Sequence, residues 1–423
     1  MKEIKLNKLK ETIYFDTCDN GLEIYMWVNE KTDNYYATLN VKYGSLDTKF
    51  KVKDKVIELE NGIAHFLEHI NFNESDNICA NEYFDKKGTA TNAFTTYDYT
   101  SYMIYGSNDI FGDVSHLLDF VQDKCINEKQ VEKEKGIIIE EYNMGLNNPN
   151  QKFYFERLKA IYNQNRKRNE ITGNKKDIES INAKNLNLVF DYFYQPSNCF
   201  IVITGNFNPY EMSALIKENQ SKKKFKKIDV KKIYDKEDLK VHNDYLEIEG
   251  NVNIPKLSIS YKMNRKKFKD YNDVLLNLYL NIILNANFGP TSTLKQDLLE
   301  KGLISYMNAY KSIDKDSVVI SIIVESKYPN EIISILREYV NKLTITEDRL
   351  TRRIKCNIAD IISGLDDIEF VNSLIQNDII TYNKLNNNIY DILKSLNIDD
   401  ALKIIKLFDL SNSSTVIMKN NVN

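Results

Sequence analysis

The sequence predicts an α+β protein built of two similar domains, each an antiparallel-rich sheet flanked by helices. Three observations lead there. The chain has 423 residues, more than one ordinary core accommodates. Gly and Pro number 14 and 6, about 3% and 1% of the chain against usual usage near 7% and 5%, which disfavours an all-β fold of many tight turns. A strand-then-helix pattern also occurs twice along the chain.

In the first pattern, GLEIYMWVN and YYATLNVKYGS are rich in β-branched and aromatic residues and read as strands. A helix follows over 62–72. Residues 89–105, TATNAFTTYDYTSYMIY, read as a hairpin turning near Tyr97-Asp98. From Asp113 to Leu146 the spacing is helical, with Val114, Leu117, Leu118 and Val121 on one face. Helices continue over 154–194, and CFIVITGNF (199–207) reads as a buried strand and turn. The run SKKKFKKIDVKK (221–232) has little to bury and reads as a solvated linker, with docking of an acidic partner as the competing reading. YLEIEG and PKLSISYKM then read as strands, 271–285 as a helix and 317–324 as a strand. The expected division is 1–218, a lysine-rich linker 219–238, and 239–423.

The net charge is −3, which gives no pull toward nucleic acid or anionic lipid. Five scattered cysteines (Cys18, Cys79, Cys125, Cys199, Cys356) without a CxxC pair fit a reducing compartment. The N-terminus has no apolar signal-peptide core. The longest apolar stretch, VLLNLYLNIIL (274–284), is too short to span a bilayer. A cytoplasmic protein without nucleic-acid or membrane partners is the expectation.

Two of only four histidines fall in one pentad, His65-Phe66-Leu67-Glu68-His69. At i and i+4 on a helix, both imidazoles reach one ion from the same face, with Glu68 beside them. This is the H-x-x-E-H pattern. Two imidazoles and one carboxylate leave a zinc position open, the catalytic arrangement, whereas structural zinc sites use four protein ligands. A third ligand is sought in EKEKGIIIEEYNMG (132–145). There Glu134 and Glu141 stand two helical turns apart on one face, and periodicity alone leaves Glu140 as a competitor. His116 and His242 have no such company.

HFLEH preceded by Gly62-Ile63-Ala64, Asn92-Ala93-Phe94-Thr95, Thr100-Ser101-Tyr102 and EKEKGIIIEE together resemble the M16 zinc peptidases, the family of insulinase, pitrilysin and the mitochondrial processing peptidases. The resemblance implies a zinc-dependent endopeptidase, with zinc on His65, His69 and Glu141, Glu68 as general base and Glu134 in support of the site. It implies that a peptide adds as a strand beside 91–95, at Asn92, Ala93 and Phe94. In the second half, GPTSTLKQDLLEKGLISY (289–306) resembles the segment carrying an Arg and a Tyr that hold substrate. The Tyr falls on Tyr306, but Leu299 stands at the Arg position. The chain resembles one half of the family's clamshell, similar to bacterial processing-peptidase-like half-enzymes, which implies a dimer and favours a heterodimer whose partner supplies the missing Arg. The family also contains non-catalytic peptide-binding and scaffold subunits, the alternative function.

Overall fold

The computed structural model describes residues 1–6, 8–72, 80–225 and 228–420. Cys79 and positions 226–227 of the lysine run lie outside the described residues. The fold is α+β, and its contacts group into two compact units. The first comprises 1–143, 170–234 and 362–388; the second comprises 144–169, 235–361 and 389–423.

The first unit holds a seven-stranded sheet. Its spatial order is Lys2–Leu6, Glu11–Thr17, Glu23–Val28, Cys199–Gly205, Tyr35–Val41, Thr100–Gly106 and Ala90–Thr95. All pairings are antiparallel except that of Glu23–Val28 with Cys199–Gly205. Tyr35–Val41 and Cys199–Gly205 are buried along their whole length, which explains why CFIVITG runs apolar without alternation: both of its faces are covered. One face carries the helices Ile63–Asn71, Ile110–Gln122 and Ala183–Phe193, with Phe66, Leu67, Leu117, Leu118, Leu186 and Val189 fully buried. The other receives the helix Ile368–Tyr382 through Ile368, Val371, Ile375 and Ile379. Polar side chains fix its register. Thr38 Oγ1 donates to Asn372 Oδ1 at 2.8 Å, Asn372 Nδ2 donates to the Val202 carbonyl at 3.0 Å, and Gln376 Nε2 donates to Ser101 Oγ at 3.1 Å. Each of these buried groups has a partner, as burial requires.

The second unit repeats the plan with five strands, in the order Tyr245–Gly250, Ser413–Asn420, Lys256–Asn264, Ser317–Glu325 and Tyr306–Ile313. The helices Asp273–Phe288, Pro329–Asn341 and Ile398–Lys406 belong to its main core. A smaller cluster joins Phe153 and Ala160 of the helix Pro149–Ile161 to Val416 and Met418.

The expected elements form, with two departures. The compact units do not divide the chain at 218 and 239: residues 144–169 group with the second unit and 362–388 with the first. The lysine run is also more than a solvated linker. Val230–Lys232 pairs with Lys49–Val52, Lys232 Nζ meets Asp47 Oδ2 at 2.7 Å, and Lys223 Nζ meets Asp119 at 2.8 Å. Both amino groups thus find carboxylates. The four described cysteines are all free, and among the described residues no helix is long and apolar enough to cross a membrane.

Candidate functional site

The pentad lies on the helix Ile63–Asn71, in which every residue but His69 is buried. A helix this buried with two imidazoles and a carboxylate on it is unusual, because buried polar groups need partners. Gly62 sets the helix entry. Its φ is 85°, and a Cβ there would stand 2.2 Å from the Thr172 carbonyl oxygen. Gly173, with φ 74°, approaches the Asn61 carbonyl in the same way. Two left-handed glycines thus clamp the helix start against the loop that carries Ile171 and Thr172.

The carboxylates come from the helix Glu128–Asn147. Val131, Glu134, Ile138 and Glu141 form one stripe at i, i+3, i+7 and i+10. Val131 and Ile138 are fully buried, so their packing turns the face that carries Glu134 and Glu141 toward the histidines, with Glu141 still half-exposed. Both Glu140 and Glu141 are exposed, but Glu141 lies within the cluster of possible metal ligands and Glu140 does not.

His65, His69 and Glu141 present ligand atoms that all lie within 4.8 Å of one another. His65 Nε2 is 3.5 Å from Glu141 Oε1, and His69 Nε2 is 3.4 Å from Glu141 Oε2. Ligands bound at about 2.0–2.1 Å to one tetrahedral ion stand about 3.3–3.4 Å apart, so these spacings fit a small divalent cation. His69 Nδ1 lies 2.9 Å from Glu134 Oε1, which turns Nε2 toward the other ligands.

The electrostatics favour positive charge at this spot. Burial opposes a charged His69, but hydrogen bonds to Glu134 and Glu141 and the nearby charge of Glu68 outweigh it and push its pKa up to about 9. Hydrogen bonding to His65 and then His69 holds the Glu141 carboxyl far below the usual carboxylate range. Three carboxylates facing two imidazoles attract a proton or a metal cation to the same place.

These groups open into a cleft of about 690 Å³, lined also by Phe72, Asn81, Thr91, Asn92, Ala93, Phe94, Thr95, Ile171 and Thr172. Asn92, Ala93 and Phe94 therefore lie beside the cluster, on the strand that ends the seven-stranded sheet. Glu68 is 7% exposed, and its Oε2 accepts from Thr95 Oγ1 at 2.6 Å. The sequence reading missed this contact, together with Ile171 and Thr172, whose place depends on the glycine clamp. His116 stacks on Tyr83 with ring centroids 3.6 Å apart, and His242 Nδ1 lies 3.0 Å from Asn163 Oδ1; neither joins the cluster. Tyr306 and Leu299 belong to the second unit, both exposed. The Tyr306 hydroxyl meets that of Tyr310 at 2.7 Å.

Known proteins resemble this chain in sequence and fold. The family model for insulinase (peptidase family M16) matches residues 29–175, and that for the M16 inactive domain matches 180–355. YmfH of Bacillus subtilis (strain 168), an uncharacterized zinc protease, is 30% identical, with 96% of each chain covered. The crystal structure of an M16-like peptidase from Alicyclobacillus acidocaldarius superposes with a TM-score of 0.90 at 26% identity, over 97% of this chain and 98% of that one. The periplasmic protease PqqL of Escherichia coli superposes with a TM-score of 0.74 at 17% identity, over 97% of this chain but 48% of that one.

Proposed function

The chain belongs to the insulinase (M16) peptidase family, and from that premise we propose that it is a zinc-dependent endopeptidase acting on extended peptides. The observation that carries the proposal is the convergence of His65 Nε2, His69 Nε2 and both Glu141 oxygens, with Glu68 facing the same cleft. His65, His69 and Glu141 would hold the zinc, and Glu134 orients His69. Bound there, zinc supplies Lewis acidity, polarising a peptide carbonyl and lowering the pKa of water to about 7. Glu68 takes the proton of the attacking water and gives it to the leaving amine. Its near-complete burial suits a base that works with bulk water excluded.

Among the described residues, the strand Ala90–Thr95 has a sheet neighbour on one side alone. A peptide laid along its open edge would gain main-chain hydrogen bonds, with its side chains read near Asn92, Ala93 and Phe94. The proposed partner is a second half of the same kind, which would close the cleft and supply an Arg where this chain has Leu299; Tyr306 would contribute from this chain or from its counterpart. That PqqL is about twice as long as this chain supports such a pairing. The inactive-domain match of residues 180–355 favours a second reading, a peptide-binding subunit, but the His–Glu cluster lies outside that segment.

The test is hydrolysis of an unstructured peptide by the purified chain, alone and with its proposed partner half. Chelator-sensitive cleavage that rises with the partner is expected. A zinc-loaded complex that binds the peptide without cutting it would support the binding-subunit reading instead.

A further inference from the structure

We propose that Thr95 is a positioning residue for Glu68, and that it ties the strand facing the substrate to the proposed general base. The inference rests on the metallopeptidase reading and extends it to a residue that reading does not use.

Glu68 Oε2 accepts from Thr95 Oγ1 at 2.6 Å, a short bond of the kind made to a carboxylate. The direction of that bond is fixed by the carboxylate, whose oxygens only accept. Thr100, across the hairpin from Thr95 in the sheet register, is fully buried, and its hydroxyl donates to the Tyr43 carbonyl at 3.0 Å. Thr100 Oγ1 lies 3.4 Å from Thr95 Oγ1. Thr100, its own proton engaged by Tyr43, could still accept from Thr95, but the Glu68 carboxylate at 2.6 Å is the nearer and charged acceptor. A hydroxyl carries one donor, and distance and charge favour Thr100 to Tyr43 and Thr95 to Glu68.

This has two consequences. One carboxylate oxygen of Glu68 is held, which restricts the rotation of the group and presents the other oxygen to the cleft. A general base must lie within hydrogen-bond reach of the proton it takes, and a misplacement of about 1 Å can cost about 10²-fold in rate. Thr95 also ends the strand that carries Asn92, Ala93 and Phe94, so a peptide seated on that strand presses on the element that holds the base.

Thr95→Val keeps the shape and removes the donor; Thr95→Ser keeps the donor and removes a methyl. Three readouts decide the matter: kcat and KM for an unstructured peptide, zinc content, and crystal structures of the metal-free variants. For Thr95→Val, kcat should fall by about 10–100-fold, with KM and zinc content near wild type and the Glu68 carboxylate displaced. Thr95→Ser should restore most of kcat and return the carboxylate to its place. An unchanged kcat in Thr95→Val, a Thr95→Ser as slow as Thr95→Val, or an undisplaced Glu68 in Thr95→Val would each overturn the proposal. If the wild type cleaves no peptide, the metallopeptidase reading fails, while the position of Glu68 in the variant structures still decides the role of Thr95.

Discussion

Each unit of this chain ends its sheet in a hairpin backed by a helix, and the two hairpins are furnished differently. In the first unit, Ala90–Thr95 and Thr100–Gly106 stand beside a helix bearing His65, Glu68 and His69. In the second, Tyr306–Ile313 and Ser317–Glu325 stand beside the helix Asp273–Phe288. There the polar contact is Lys311 Nζ donating to Asn281 Oδ1 at 2.6 Å. Among the described residues the second unit holds no cluster of metal ligands. Similar architecture carries three carboxylates and two imidazoles in one unit and an amide with a single amine in the other, so the chemistry resides in side chains placed on the fold.

The largest effect should come from emptying the first unit of its ligands. His69→Ala removes one ligand outright, and elemental analysis should find the zinc lost while circular dichroism stays native. Retained zinc would place the metal elsewhere. A smaller effect should follow from Glu134→Gln, which leaves all three ligands but weakens the orientation of His69. Zinc affinity should drop by about 10–100-fold, measured by competition with a chromophoric chelator, and wild-type affinity would reduce Glu134 to a bystander.

The smallest effect should come from the second unit. Burial pushes the Lys311 ammonium down to about 8, and among the described residues it makes no ion pair. Its ordinary value is higher, so the unfolded chain binds more protons than the folded one between pH 8 and about 10.5. Stability should therefore rise with pH across that window. In Lys311→Met this rise should shrink, as urea unfolding at pH 7.5 and 10 would show, with zinc content and peptide cleavage unaffected. Equal pH dependence in both proteins would refute the assignment.

The comparison also shows what a sequence reveals. The pentad is legible because i, i+4 spacing and helical geometry are local. The choice between Glu141 and Glu140 was not legible from periodicity; the fold brings Glu141, and not Glu140, within reach of both imidazoles. The Pro329–Asn341 helix has a plain signal in Ile332, Leu336 and Val340, fully or nearly fully buried, which our sequence reading passes over. Other features depend on distant partners. Nothing local in Ile368–Tyr382 shows that Asn372 and Gln376 will bond to strands more than 160 residues earlier. Nothing in SKKKFKKIDVKK announces that Asp47 will receive Lys232. The Thr95–Glu68 bond joins residues 27 apart through the packing of a helix on a hairpin, a proximity that strand alternation alone does not give.

The central claim is that Glu68 performs the proton transfer beside a metal held by its neighbours, and Glu68→Gln tests it most directly. The substitution keeps the size of the side chain and its ability to accept from Thr95 while removing its basicity. With zinc content and turnover measured on the same sample, the account predicts unchanged zinc and a turnover lowered by at least about 10²-fold, the low end of what general-base catalysis contributes. Zinc-loaded Glu68→Gln that cleaves peptide at the wild-type rate would contradict it.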